Sequence, residues 1–144
     1  MSVPKSRRGE SSMQYIDTAM KIAANVLSFA NGLPKRMNAT MVRALFDYAQ
    51  EGVYHVKSAN RIYVKDDATY ELRRGHLLDA IGCFDHVAYL LEILYEHDLR
   101  SGKEPNENRF LGFANDIEEE RRLIRGVIKK DAGVRHSAGE HSDG

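Results

Sequence analysis

The residues whose types and spacing suggest binding chemistry are cations in the middle of the chain. Lys57, Arg61 and Lys65 follow one another at steps of four, so they share one face of a helix for as long as that helix lasts. Arg73 and Arg74 come shortly afterwards. Ammonium and guanidinium groups on helices bind phosphates without reading a nucleotide sequence. This segment is therefore a candidate nucleic-acid interface.

Further cations precede this segment. They are Lys35 and Arg36 in the link before the second helix, Arg43 at its start, and Lys5, Arg7 and Arg8 in the leader. The alternative interpretation is that all these charges are solvated and that some pair with Asp66, Asp67 or Glu71. Spacing alone favours this alternative, because charged residues of soluble proteins usually face water.

The sequence contains no arrangement of residues typical of an enzyme. Di-iron bundles carry Glu-x-x-His motifs, and this chain has none. Glu92 and Glu96, like His76 and Asp79, are interpreted as surface or structural pairs. The single cysteine, Cys83, lies in the apolar run AIGCF and is interpreted as core filler. Because glycine-rich phosphate loops and Gly-x-Ser-x-Gly elbows are also missing, we expect no catalytic residue, metal or cofactor, and no enzyme.

The composition is that of one ordinary soluble domain. The 144 residues are 42% hydrophobic and 29% charged, enough for a single core. The sequence has no membrane-length apolar run and no apolar signal core, which predicts a cytoplasmic protein. The net charge is zero, but residues 1–43 carry seven basic and two acidic side chains, whereas 83–108 carry two and six. A neutral total argues against a stand-alone nucleic-acid binder but allows one basic face.

Apolar residues recur at steps of three and four in four segments, which predicts four helices. The first spans 11–31, with a predicted core stripe of Met13, Ile16, Met20, Ala23, Leu27 and Ala30. The second begins at Asn38 as a capping residue and fades at 62–64. The third covers 67–98 behind a capping Asp66 or Asp67, and the fourth covers 106–130 behind a capping Asn106.

Helices of this length with short links predict an all-α fold, an antiparallel up-down four-helix bundle. We expect residues 1–10 to form a basic flexible leader, 11–130 to form the bundle, and 131–144 to be a disordered tail, because the tail is small, polar and aperiodic. Gly75 and Gly82 lie seven residues apart in the third helix. Their spacing predicts a face that another helix approaches closely.

Two long stretches carry a resemblance to a known family. They are GLPKRMNATMVRALFDYAQEGVYHVKSANRIYV and YELRRGHLLDAIGCFDHVAYLLEIL. The Leu-Pro-Lys link, the Ser-Ala-Asn end of the second helix and the Arg-rich start of the third resemble small bacterial four-helix bundle proteins. These include the accessory variability determinant (Avd) of diversity-generating retroelements and the proteins encoded in intervening sequences of 23S ribosomal RNA genes. The resemblance covers residues 4–130, and the leader PKSRRGES is similar to that of bundle proteins found beside reverse transcriptases.

The resemblance implies a non-enzymatic partner of a reverse transcriptase. Avd proteins form pentameric homo-oligomers, bind nucleic acid through a basic surface and support template-primed cDNA synthesis, so RNA or cDNA is an implied partner. The positions that this implies for nucleic-acid binding are Lys35, Arg36, Lys57, Arg61, Arg73 and Arg74. Avd proteins are strongly basic, whereas this chain is neutral. The alternative is therefore a structural protein–protein interaction bundle, of the ribosomal intervening-sequence type, without specific nucleic-acid binding.

Overall fold

The computed structural model describes the backbone of residues 13–142 and the side chains of residues 13–136. Within this range four long helices account for most of the chain, and no strand is present. They are α1 (Gln14–Asn31), α2 (Arg43–Asn60), α3 (Asp67–Arg100) and α4 (Glu107–Ser142). The predicted all-α class is therefore confirmed. The predicted leader, residues 1–10, lies outside the described residues.

The side of α1 that faces the core differs from the predicted one. The buried residues of α1 are Tyr15, Ile16, Ala19, Ile22, Val26 and Ala30. From the predicted stripe, Met13, Met20 and Leu27 are instead exposed, by 41%, 45% and 45%. The helix offers two apolar stripes, and the one with aromatic and β-branched side chains is buried. Such side chains lose less rotational entropy on packing than methionine does.

The chain enters α2 through an irregular helical segment. A 3-10 turn (Lys35–Met37) and a π-helical turn (Asn38–Val42) precede α2. Asn38 therefore lies inside a helical stretch, and the prediction that it caps the second helix is wrong. Pro34 explains the earlier start: its ring holds φ at −57°, so the chain turns into helical conformation directly after it.

The caps of α3 and α4 agree with the predictions. Asp66 Oδ1 accepts a hydrogen bond from the Thr69 N–H at 2.8 Å, and the Asp66 N–H donates to Thr69 Oγ1 at 3.1 Å. These two bonds form a reciprocal capping box. The hydrogen bond from the Thr69 backbone also lowers the pKa of the Asp66 carboxyl. Asn106 caps α4 by accepting from the Arg109 N–H at 3.2 Å.

Two groups of contacts join the helix ends. Near the end of α1, Phe29 packs edge-on against Phe110 and Phe113 of α4, with ring centroids 5.7 and 5.6 Å apart. Near the start of α1, Tyr15 is buried within electrostatic reach of Arg73 of α3 and Asp131 of α4. The apolar side chains are concentrated between these groups. No helix within the described range is long and apolar enough to cross a membrane.

The close approach between helices occurs at a different glycine from those predicted. A Cβ added to Gly75 or Gly82 would meet no atom of the described residues within 4 Å, so for this part of the chain that prediction is wrong. At Gly52 of α2, by contrast, an added Cβ would lie 2.6 Å from Phe84 Cζ of α3. The Phe84 ring therefore fills the space above Gly52, and α2 and α3 are closely packed there.

The fourth helix continues well beyond the predicted end at Lys130. It reaches Ser142, and Asp131 is buried inside the fold. The Arg135 guanidinium lies 4.1 Å from the centre of the Tyr70 ring. Residues 131–136, which were predicted to belong to a disordered tail, continue α4 in the structure. Asp131 supplies the counter-ion of the largely buried Arg73 side chain, and this pair connects α4 to α3.

Candidate nucleic-acid interface

Three cations at the end of α2 form an exposed surface, which we call the basic edge: Lys57, Arg61 and Lys65. Lys57 lies in the last turn of α2, Arg61 is the residue directly after that helix, and Lys65 lies in the link before α3. All three side chains are exposed. Within the described part of the chain none of them forms an ion pair. The basic edge is therefore available to an anionic ligand.

Two tyrosines flank the basic edge. Tyr54 is 59% exposed on α2, one turn before Lys57, and Tyr63 is 85% exposed in the link. Exposed aromatic rings beside cations are the surface on which unpaired bases stack, at about 1–3 kcal/mol per base. Sequence analysis did not single out Tyr63. The sequence signal for its exposure was its place between Ile62 and Val64, in a link too short to bury all three side chains.

The carboxylates near the basic edge have other partners. Asp66 caps α3, as described above. Asp67 and Glu71 each lie 3.8 Å from the Arg135 guanidinium of α4, and Glu71 also lies 3.7 Å from Arg74. The expectation that some of the cations pair with these carboxylates is therefore confirmed for Arg74, which pairs with Glu71. Among the described residues no such ion pair forms at the basic edge.

Arg73 does not belong to this surface. Its side chain is only 12% exposed, and Nε donates to Asp131 Oδ2 at 2.6 Å. Its Nη1 donates to the carbonyl oxygens of Ala59 and Ile62 at 3.0 and 3.3 Å. The guanidinium thus ties the end of α2 and the following link to α4. The predicted role of Arg73 as a phosphate ligand stays a prediction, and the structure places its Nε and Nη1 donors inside the fold, away from the exposed cations.

The remaining predicted positions do not form one patch. Arg74 is 44% exposed and weakly paired with Glu71, so it lies beside the basic edge. Lys35 and Arg36 are exposed in the 3-10 turn before α2. The 18 residues of α2 separate them from Arg61. At 1.5 Å per residue this separation is about 27 Å, so one ligand reaches both groups only by running along α2.

A second group of reactive side chains lies between α2 and α3. Glu51, His55 and Cys83 place one carboxylate oxygen, one ring nitrogen and the sulfur within 4.8 Å of one another. The Nδ1 atoms of His55 and His76 are 3.0 Å apart. Cys83 is thus only half-buried beside polar groups, and its interpretation as core filler is wrong. Sequence analysis missed this group because Cys83 lies on another helix and meets Glu51 and His55 only when the chain folds. The available signal was the i, i+4 spacing of Glu51 and His55, which is typical of ligand pairs on a helix.

One carboxyl group is buried without a partner. Glu120 of α4 is 1% exposed, and neither of its oxygens has a hydrogen-bond partner among the residues that the structure describes. Burial raises the pKa of Glu120 to about 9. Its neighbours pair as Glu118 with Arg121 and Glu119 with Arg122. The signal for its burial was its position on the stripe of Phe113, Ile117 and Ile124.

Comparison with protein-family models, with curated proteins and with solved structures finds no match for this chain.

Proposed function

We propose that this chain is a non-enzymatic, cytoplasmic accessory protein of a reverse transcriptase, similar to Avd, which holds template RNA or its cDNA. The observation that carries the proposal is the basic edge of Lys57, Arg61 and Lys65, which forms no ion pair with the described residues and is flanked by Tyr54 and Tyr63. The reverse transcriptase comes from the family resemblance. The end-to-end contacts of α1 with α4 support an antiparallel up-down arrangement of the four helices.

The basic edge binds RNA through its phosphates. Three adjacent cations neutralise up to three phosphates, and each neutralised phosphate releases condensed counterions. The two tyrosines add stacking on unpaired bases, which tolerates any sequence. An accessory protein of a polymerase needs this kind of binding, because the template has to be held at many different positions.

Self-association uses the outer face of α3. Gly75, Leu78, Gly82, Tyr89 and Ile93 fall on one stripe opposite the core-facing side, and all are exposed. A helix from a second copy can approach closely at the two glycines, because no Cβ stands there. This stripe supports a homo-oligomer, for which the family resemblance implies five copies. Repetition of the basic edge around an oligomer compensates for the neutral charge of one chain.

The test of RNA binding is a titration of a labelled RNA hairpin with single-stranded flanks, repeated at several salt concentrations. Replacing Lys57, Arg61 and Lys65 together by glutamine is expected to reduce the slope of log K against log salt by about 2, since each single-strand phosphate contact contributes about 0.7. The matched control replaces Arg100, Lys103 and Arg125, three exposed cations elsewhere, by glutamine. Equal slopes for the triple variant and the wild type would exclude the basic edge as the interface.

The test of the partner is co-purification with the reverse transcriptase encoded beside this chain, with and without RNA. Retention of the enzyme in both formats supports the accessory role. Failure to retain the enzyme, or the absence of a reverse-transcriptase gene beside the gene for this chain, rejects the reverse-transcriptase part of the proposal. The RNA-binding part is then judged by the titration alone.

A second candidate is a structural interaction bundle whose surface charges only keep it in solution. The exposed apolar stripe on α3 is the observation that favours it. Light scattering after size-exclusion chromatography measures whether this stripe holds the oligomer together. Ile93→Glu is expected to dissociate the oligomer. Leu111→Glu, at an equally exposed residue (59%) on α4, is expected to leave it intact. An oligomer that binds no RNA at low salt favours the second candidate.

A further inference from the structure

The half-buried groups between α2 and α3 form a compact donor set. Glu51 and His55 lie one turn apart on α2, and Cys83 faces them from α3. The distance from His55 Nε2 to Glu51 Oε2 is 3.6 Å. Tetrahedral zinc, with bonds of about 2.0–2.3 Å, holds its donors about 3.3–3.8 Å apart. The α2 pair is therefore already at the separation that zinc requires.

We propose that Glu51, His55 and Cys83 bind one divalent transition-metal ion of the zinc type. A carboxylate oxygen, an imidazole nitrogen and a thiolate sulfur together suit zinc, and they disfavour magnesium and calcium, which take oxygen ligands. Three protein ligands leave the fourth position for a water molecule. The ion joins α2 to α3, one turn from the tyrosine that flanks the basic edge.

His76 acts as the positioning residue of this site. Its Nδ1 lies 3.0 Å from His55 Nδ1, so one ring donates a hydrogen bond to the other at these atoms. With the proton on His55 Nδ1, the lone pair of His55 Nε2 points to Glu51 and to the metal. A ligating histidine commonly donates its second N–H in this way, which fixes both its tautomer and its orientation.

The electrostatic surroundings of Cys83 favour a cation. Its thiol is half-buried, and the carboxylates of Glu51 and Asp79 lie within electrostatic range of it, so negative charge surrounds the site. Such surroundings are opposite to those of a nucleophilic cysteine, which lies beside positive charge. A divalent ion neutralises this negative charge and stabilises the Cys83 thiolate as a ligand.

The experiment titrates the purified, metal-free chain with cobalt(II) and then with zinc(II). Cobalt(II) bound to a thiolate in tetrahedral geometry gives a sulfur-to-metal charge-transfer band and intense visible bands. The expected result is one cobalt per chain with both features, displaced by one equivalent of zinc. No binding at millimolar metal, or binding without the sulfur band, overturns the proposal.

Variants assign the ligands. Cys83→Ser is expected to abolish the charge-transfer band, and Glu51→Gln and His55→Gln to weaken cobalt binding at least tenfold. His76→Gln is expected to weaken it 10- to 100-fold while keeping the band, because it changes only the orientation of a ligand. Glu51 is exposed, so its substitution tests the site without threatening the fold. His97→Gln, at an exposed histidine near the end of α3, is the control, and an equal loss in this control rejects the assignment.

Discussion

At one end of the molecule, an exposed charged region and a buried charged region lie next to each other. The basic edge carries Lys57, Arg61 and Lys65 in water without ion pairs among the described residues. A buried layer beneath it contains Arg73 and Asp131, each about one-tenth exposed and paired at 2.6 Å. Both regions look alike in the sequence. We infer that an exposed cation without an intramolecular partner is available to a ligand, whereas a buried, paired cation stabilises the fold.

The largest effect expected from this difference is on stability, at Arg73. Arg73→Met leaves Asp131 as an uncompensated buried charge and also removes the donor to the Ala59 carbonyl. We expect a loss of about 3–5 kcal/mol in the free energy of unfolding, measured by urea denaturation. The double variant Arg73→Met with Asp131→Leu is expected to regain most of this loss, because no charge then remains buried.

Arg74→Met is the matched control for Arg73. The two arginines are adjacent, but Arg74 is 44% exposed and lies 3.7 Å from its partner. Its substitution is expected to change the free energy of unfolding by no more than about 0.5 kcal/mol. Equal losses for Arg73→Met and Arg74→Met would contradict the division into a buried layer and an exposed edge.

The next largest effect is expected at Glu120, where a buried carboxyl lacks the kind of partner that Asp131 has. Because burial raises the pKa of Glu120 from 4.5 to about 9, the folded state keeps a proton that the unfolded state releases above pH 4.5. Stability is therefore lost as the pH rises from about 4.5 towards 9. In Glu120→Gln the amide that replaces the carboxyl does not ionise in either state. This substitution is therefore expected to raise the free energy of unfolding at pH 7 by about 3 kcal/mol.

The measurement is denaturation of the wild type and Glu120→Gln between pH 5 and 8. The advantage of the variant is expected to shrink to about 1 kcal/mol or less at pH 5, where about a quarter of the carboxyl is protonated even in the unfolded chain. If the free energies of unfolding of the two proteins differed by the same amount at every pH, Glu120 would have the same pKa in the folded and unfolded states, which would contradict the prediction. Glu119→Gln, at the adjacent paired residue, is the control for a general charge effect.

The third prediction tests burial without charge. Gly52→Ala places a Cβ 2.6 Å from Phe84 Cζ, so the ring has to move within a packed core. We expect a loss of about 1–3 kcal/mol in the free energy of unfolding. Gly126→Ala, on the exposed side of α4 with no atom within 4 Å, is expected to gain up to about 1 kcal/mol from helix propensity. The same sign for both substitutions would contradict the close packing of α2 on α3.

Local signals were sufficient to predict part of this fold. The caps at Asp66 and Asn106 depend on hydrogen bonds that span three residues, so the sequence itself contains both partners. The buried side of α1 was predicted incorrectly, because two apolar stripes compete on that helix and only the neighbouring helices decide between them. Met20 and Ile22 illustrate this: both are apolar, and only Ile22 is buried.

The candidate sites depend on contacts that the sequence does not reveal. Arg73 and its partner Asp131 are 58 residues apart, so the burial of the Arg73 side chain could not be predicted from the sequence around it. The same is true of Cys83, which meets Glu51 and His55 only because α2 and α3 pack together. By contrast, Lys57 and Arg61 were placed correctly on one exposed face, because a helical step of four fixes their relationship locally.

The smallest effect on stability is expected at the basic edge itself. Lys57→Glu with Arg61→Glu reverses two exposed charges that have no ion pair within the described residues, so the free energy of unfolding is expected to fall by no more than about 1 kcal/mol, from the negative charges placed at the C-terminal end of α2. RNA affinity is expected to fall strongly in the same variant, because two phosphate contacts become repulsive. Denaturation and RNA titration of one preparation measure both quantities. A variant that loses stability as Arg73→Met does, yet keeps its RNA affinity, would reverse the roles assigned to the two regions. Stability retained and affinity lost would instead confine RNA binding to the side chains that the fold leaves unpaired.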